Sequence, residues 1–145
     1  MRATNLVFFC FGMCCLTACT EKVKDVSGDL QYKNLLGIEY EIVGPVDAYG
    51  IRHHSKAPVD YATLVPPPGF EGSEVGFRVP VALGSKITIR RVLRVNRLFD
   101  PPMRFVVELE GTRLPANGPV IIDIFRGSQG KGDIDLNPGI YRRSK

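Results

Sequence analysis

The 145-residue chain has no tryptophan, only two histidines, and no cysteine beyond residue 19, where Cys10, Cys14, Cys15 and Cys19 complete the set. Without thiols in the remainder, a disulfide framework and a thiolate zinc site are both excluded there. His53 and His54 are neighbours, and on a strand neighbours point to opposite faces, so they would not share one metal. In a loop they could, with Asp47 or Asp60 nearby in sequence. Ser55 follows them, yet the Gly-x-Ser-x-Gly elbow is absent, and no base-activated nucleophile is spelled out. The segment Gly127-Ser128-Gln129-Gly130-Lys131-Gly132 is glycine-rich like a phosphate loop. It has neither that loop's spacing nor a Ser or Thr after the lysine, and it is read as a flexible connection. The chain is therefore expected to be a non-enzyme, with no metal and no cofactor.

Long hydrophobic runs are also missing. The N-terminal apolar run, residues 6–16, is rich in Leu, Val, Phe, Met and Cys, and it is shorter than the roughly 20 apolar residues that a spanning helix needs. Arg2 precedes it and Leu16-Thr17-Ala18-Cys19 closes it. A positive start, an apolar centre and small residues before a cut are the order of a secretory signal peptide. Leu16-Thr17-Ala18-Cys19 further resembles the lipobox of bacterial lipoproteins. The resemblance implies cleavage before Cys19, a diacylglycerol thioether on its sulfur, and a palmitoylated cell-envelope protein held to the membrane by that lipid. Thr20 is not the Asp that resembles an inner-membrane retention signal, so in a cell with two membranes the expected site is the outer membrane, facing the periplasm. The division that follows is a signal peptide over 1–18, the lipidated Cys19 and a flexible tether over 19–30, and a single β-rich domain over 31–145.

Charge is in mild positive excess. The whole chain carries +4, and losing residues 1–18, whose only charge is Arg2, leaves +3. Arginine outnumbers lysine and clusters at Arg90, Arg91, Arg94, Arg97 and Arg104. Guanidinium forks pair bidentately with phosphate and carboxylate, which makes Arg90, Arg91, Arg94 and Arg97 a candidate anion-binding set for lipid, glycan or an acidic envelope protein. The plainer reading of such a run is a solvated basic face. Nucleic acid is excluded as a partner for an exported, lipid-anchored chain.

What remains is β pattern. Fifteen glycines and eleven prolines leave no room for an amphipathic helix of about ten residues. Ile38, Tyr40 and Ile42 alternate with Glu39 and Glu41 up to Gly44-Pro45, a half-buried strand. Val75, Phe77, Val79 and Val81 alternate next, then Ile87, Ile89, Leu93 and Val95, with Gly84 between them. A hairpin pairing Val81 with Ile87 and Val79 with Ile89 gathers both sets on one face and sets Arg91 opposite Phe77. Arg91 is then either an anion contact in a cavity or a bulge residue that snorkels out. A second hairpin pairs Phe105, Val107 and Leu109 with Ile124, Ile122 and Val120. Glu108 and Glu110 share its other face at the spacing of an acid/base carboxylate pair. A solvent face with an Arg104 to Asp123 cross-strand salt bridge explains these charges more simply. Residues 61–72, with Pro66-Pro67-Pro68-Gly69-Phe70, read as a stiff crossover, and a last short strand falls around Ile140-Tyr141. The expected fold is a small antiparallel β-barrel or sandwich, SH3-like or OB-like in look. The expected role is a structural or binding module, or else an envelope inhibitor or scavenger that takes an anionic ligand on its arginine-rich face.

Overall fold

Alternating apolar and polar residues become strands along most of this chain. The computed structural model describes residues 22–96, 103–124 and 136–145. Within them lie β1 (Lys22–Asp25), one helical turn α1 (Leu30–Lys33), β2 (Glu39–Ile42), β3 (Asp47–Ile51), β4 (Tyr61–Val65), β5 (Val75–Pro80), β6 (Lys86–Asn96), β7 (Met103–Glu110), β8 (Val120–Ile124) and β9 (Tyr141–Arg143). All nine described strands join one sheet in the order β5-β3-β4-β8-β7-β6-β2-β9, with β1 paired to β6. The protein is thus mostly β. Among the described residues the sheet does not close, because β5 at one end pairs only with β3 and β9 at the other only with β2. It is also not wholly antiparallel, since β4 and β8 run parallel with Ala62 opposite Val120.

One face of the sheet makes the core. Tyr40, Ile42, Ala48, Leu64, Ile87, Ile89, Phe105, Val107, Ile122 and Tyr141 are all buried in a single cluster, together with Val26, Val46, Val81, Leu136 and Ile140 from outside the strands. Residues from β3 and from β9 meet in that cluster although their strands stand near opposite ends of the sheet. The sheet therefore folds over so that its inner face covers itself, as an apolar face of this size must. The Val43 amide donates to the Ile140 carbonyl at 2.7 Å, and a Cβ on Gly44 would stand 2.1 Å from the Gly139 carbonyl oxygen. Only glycine lets these two backbones approach so closely.

Four expectations need correction. The hairpin across Gly84 is not formed: β5 pairs β3, with Val79 opposite Ala48, and β6 pairs β7. Alternation fixes which face a residue takes, not which strand lies beside it. Pro80 has no amide proton for a ladder, which suits the edge position β5 occupies. In the second hairpin the faces are as expected but the register is two residues away, with Phe105 opposite Ile122 and Val107 opposite Val120. A two-residue slip keeps every side chain on its face, and here it places Arg104 directly opposite Asp123. The tether is not free along its length, because Lys22 to Asp25 pair with β6 and Val26 is buried; ordered structure starts well before Gln31. Finally, the first five residues of the expected crossover 61–72 are β4, a strand inside the sheet. Its alternation was masked by the prolines that follow.

The Tyr141 hydroxyl is buried with no hydrogen-bond partner among the described residues, and burial pushes its pKa up. An unpaired buried hydroxyl costs roughly 1–3 kcal/mol of desolvation. Tyr141→Phe is therefore expected to raise the stability by about 1 kcal/mol, read as a higher urea midpoint with an unchanged slope. A lower midpoint would show that the hydroxyl is satisfied.

Candidate anion-binding surface

The outer face of the sheet is laced by opposite charges. Lys86 Nζ lies 2.9 Å from Glu39, Arg142 donates to Glu41 at 2.8 Å, Arg78 reaches Asp47 at 2.7 Å, and Arg104 Nε donates to Asp123 at 2.6 Å. Arg90 closes on Glu108 through both Nε and Nη2, the Nε contact being 2.8 Å. Hydrogen bonds from Lys86, and then from Ser144, hold the Glu39 carboxyl below the usual carboxylate range. Cross-strand pairs of this kind each contribute a few tenths of a kcal/mol up to about 1 kcal/mol. They also occupy the groups that would otherwise bind something else.

The arginine cluster divides accordingly. A bulge in β6 lies between Ile89, opposite Val107, and Arg91, opposite Val106. The extra residue is Arg90, and the bulge turns both arginines outward to solvent. Arg91 does not stand opposite Phe77 in a cavity; it lies on the exposed outer face. Beyond the bulge the phase changes, so Val92 enters the core while Leu93 is only half-buried. Of the remaining arginines, Arg104 is buried with Asp123, Arg94 is exposed, and Arg97 lies outside the described residues. Glu108 is held by Arg90, and Glu110 stands across from Lys86.

Two cations that the sequence reading overlooked stand beside Arg94, which shares a face with Met103 rather than with Arg91. β1 sets Lys24 directly opposite Arg94 and Lys22 opposite Asn96. The signal was present as the alternation of Lys22, Val23, Lys24 and Asp25, hidden because so polar a segment resembles a tether. Asp25 belongs to the other face of β1. Its carboxyl is held low chiefly by hydrogen bonds from Ser27, side chain and backbone, with a smaller contribution from Arg91. No protein-family model matches this chain, and no curated protein or solved structure matches it. The surface must therefore be interpreted from its own chemistry.

The other chemistry-bearing residues do not gather. His53 is exposed in a turn with Nε2 3.6 Å from Asp60, and His54 is exposed beside it. Among the described residues no group of three His, Cys, Asp or Glu side chains could hold a metal. Residues 1–18, Cys19 and the glycine-rich 127–132 lie outside the described residues. An apolar cleft of about 280 Å³ is walled by Val43, Pro45, Val46, Pro80, Val81 and Leu83, with Asp47 at its side. Arg78 already holds that carboxylate, so the cleft has no free charge with which to orient a ligand.

Proposed function

We propose that this protein is a lipid-anchored cell-envelope lipoprotein, a structural or binding module attached through a lipid on Cys19. The observation that carries the reading is Leu16-Thr17-Ala18-Cys19 at the end of a short uncharged stretch. Its place is the outer membrane, on the periplasmic side, where a cell has two membranes. The membrane is its first partner; an envelope protein or an anionic glycan or lipid is the second, with no enzymatic step. The finer fold reading is an open barrel or sandwich of the SH3-like or OB-like kind. A single core drawing on strands near both ends of the sheet supports it.

Cys19→Ser removes the only sulfur at that position, so metabolic labelling with palmitate should fall to background in the variant. Undiminished label would sink the anchoring reading. A second reading, an inhibitor or scavenger binding an anionic ligand through Arg91, Arg94 and Arg97, is favoured by one observation: Lys24 faces Arg94 directly, and among the described residues neither takes part in an ion pair.

A further inference from the structure

Charge pairing across the described strands follows a rule, and at one place the rule is broken. Glu39 with Lys86, Glu41 with Arg142, Asp47 with Arg78, Glu108 with Arg90 and Asp123 with Arg104 are each matched by sign. Lys24 and Arg94, directly opposite each other, are not. Like charges facing across a ladder repel, and among the described residues neither these two nor Lys22 takes part in an ion pair. A cationic row of this kind is stabilised when an anion is supplied from outside.

The same end of the molecule presents apolar side chains to water. Leu30, the first residue of α1, is 90% exposed and Val23 of β1 is 50% exposed. α1 sits beside the cationic row: the Tyr32 hydroxyl touches the Met103 sulfur at 4.0 Å, and Met103 is the cross-strand neighbour of Arg94. Lys33 adds a cation in the last turn of α1. Glu21, Asp25 and Asp29 are the acidic groups nearby in sequence; Asp25 lies on the opposite face of β1, so the described β1 and β6 charges on the face that Lys22, Lys24 and Arg94 share are all positive. A soluble anion would have no use for an exposed leucine beside these cations, whereas a lipid headgroup region accepts both.

We infer that this end of the domain is seated on an anionic phospholipid surface, with Lys22, Lys24 and Arg94 against lipid phosphates and Leu30 at the headgroup boundary. The inference rests on the Cys19 anchoring reading. Cys19 precedes Lys22 by three residues, a reach of at most about 11 Å. That is close to the distance, about 8 Å, over which salt screens exposed charge at physiological ionic strength. The lipid thus holds the cationic row where a charged bilayer attracts it, which a free ten-residue tether would not. β1 pairs with the last residues of the eleven-residue β6, so the start of β6, with Leu83 and the apolar cleft nearby, lies about 33 Å along the strand. The cleft is turned away from the bilayer, toward the periplasm.

The test uses the full-length protein, exported and processed by a bacterial host and reconstituted in vesicles of phosphatidylethanolamine and phosphatidylglycerol. A polarity-sensitive fluorophore is placed on Leu30→Cys or, for comparison, on Leu83→Cys, and quenched by doxyl-labelled lipid. The mass of the N-terminal peptide reports the lipid on Cys19 independently. Quenching at position 30 should exceed that at position 83 several-fold, and the triple change Lys22→Gln, Lys24→Gln, Arg94→Gln, or high salt, should remove most of the difference. Lipidated protein quenched equally at both positions, or quenched at position 30 to the same extent with and without phosphatidylglycerol, overturns the inference and leaves the anchor standing. A Cys19 that carries no lipid overturns the anchoring reading, and this inference falls with it.

Discussion

Ile122→Ala is expected to cost roughly 2–5 kcal/mol of folding stability, from lost apolar burial and from the cavity left where neighbours cannot collapse. Ile122 is fully buried in β8, opposite Phe105 of β7, and inside the one core cluster that gathers strands from across the sheet. Loss of its side chain therefore loosens several strands at once. Glu108→Ala is the comparison. It removes a half-exposed partner of Arg90, and an exposed ion pair contributes at most about 1 kcal/mol. Urea melts of the two variants read the difference directly. Equal losses, or a larger loss for Glu108→Ala, would mean that the inner and outer faces have been exchanged.

The same strand shows what the sequence could and could not disclose. That Ile122 and Val107 face inward while Glu108 faces out was legible, because a period of two is written in the residues themselves. So was β2, where Tyr40 and Ile42 enter the core and Glu39 and Glu41 face out. Which strand stands beside which was not legible. The apolar face of β5 fits against any other apolar strand face, and only the packed sheet shows that it lies on β3 rather than β6. The bulge at Arg90 was equally hidden: one extra residue changes the phase of everything after it, and no residue type in Arg90-Arg91-Val92 demands it. The candidate site was half legible. Arg94 stood out as an arginine, but its cationic neighbours Lys22 and Lys24 come from a segment more than sixty residues away in sequence, brought there by a ladder that nothing local announces.

Arg104 presents the opposite case from Arg90, and the two together test how burial sets the worth of a charge pair. The Arg104 side chain is 10% exposed and its partner Asp123 21%, while Val106 and Ile121, buried on the same outer face, lie across from each other in the next rung. Charges taken this far from water are costly to leave unmatched. Arg104→Met is therefore expected to lower stability by about 3 kcal/mol, because Asp123 keeps its charge and loses the Arg104 guanidinium; the figure sits at the low end of the usual range since Asp123 retains some contact with solvent. Changing both residues, Arg104→Met with Asp123→Leu, should recover most of that loss, as apolar side chains of similar volume extend the Val106 and Ile121 patch. Arg90→Met should change stability by no more than about 1 kcal/mol, its pair being half in water. The cycle is read from urea midpoints of the single and double variants. A double variant as unstable as Arg104→Met alone would show that Arg104 acts through its shape and other contacts rather than through the charge it shares with Asp123.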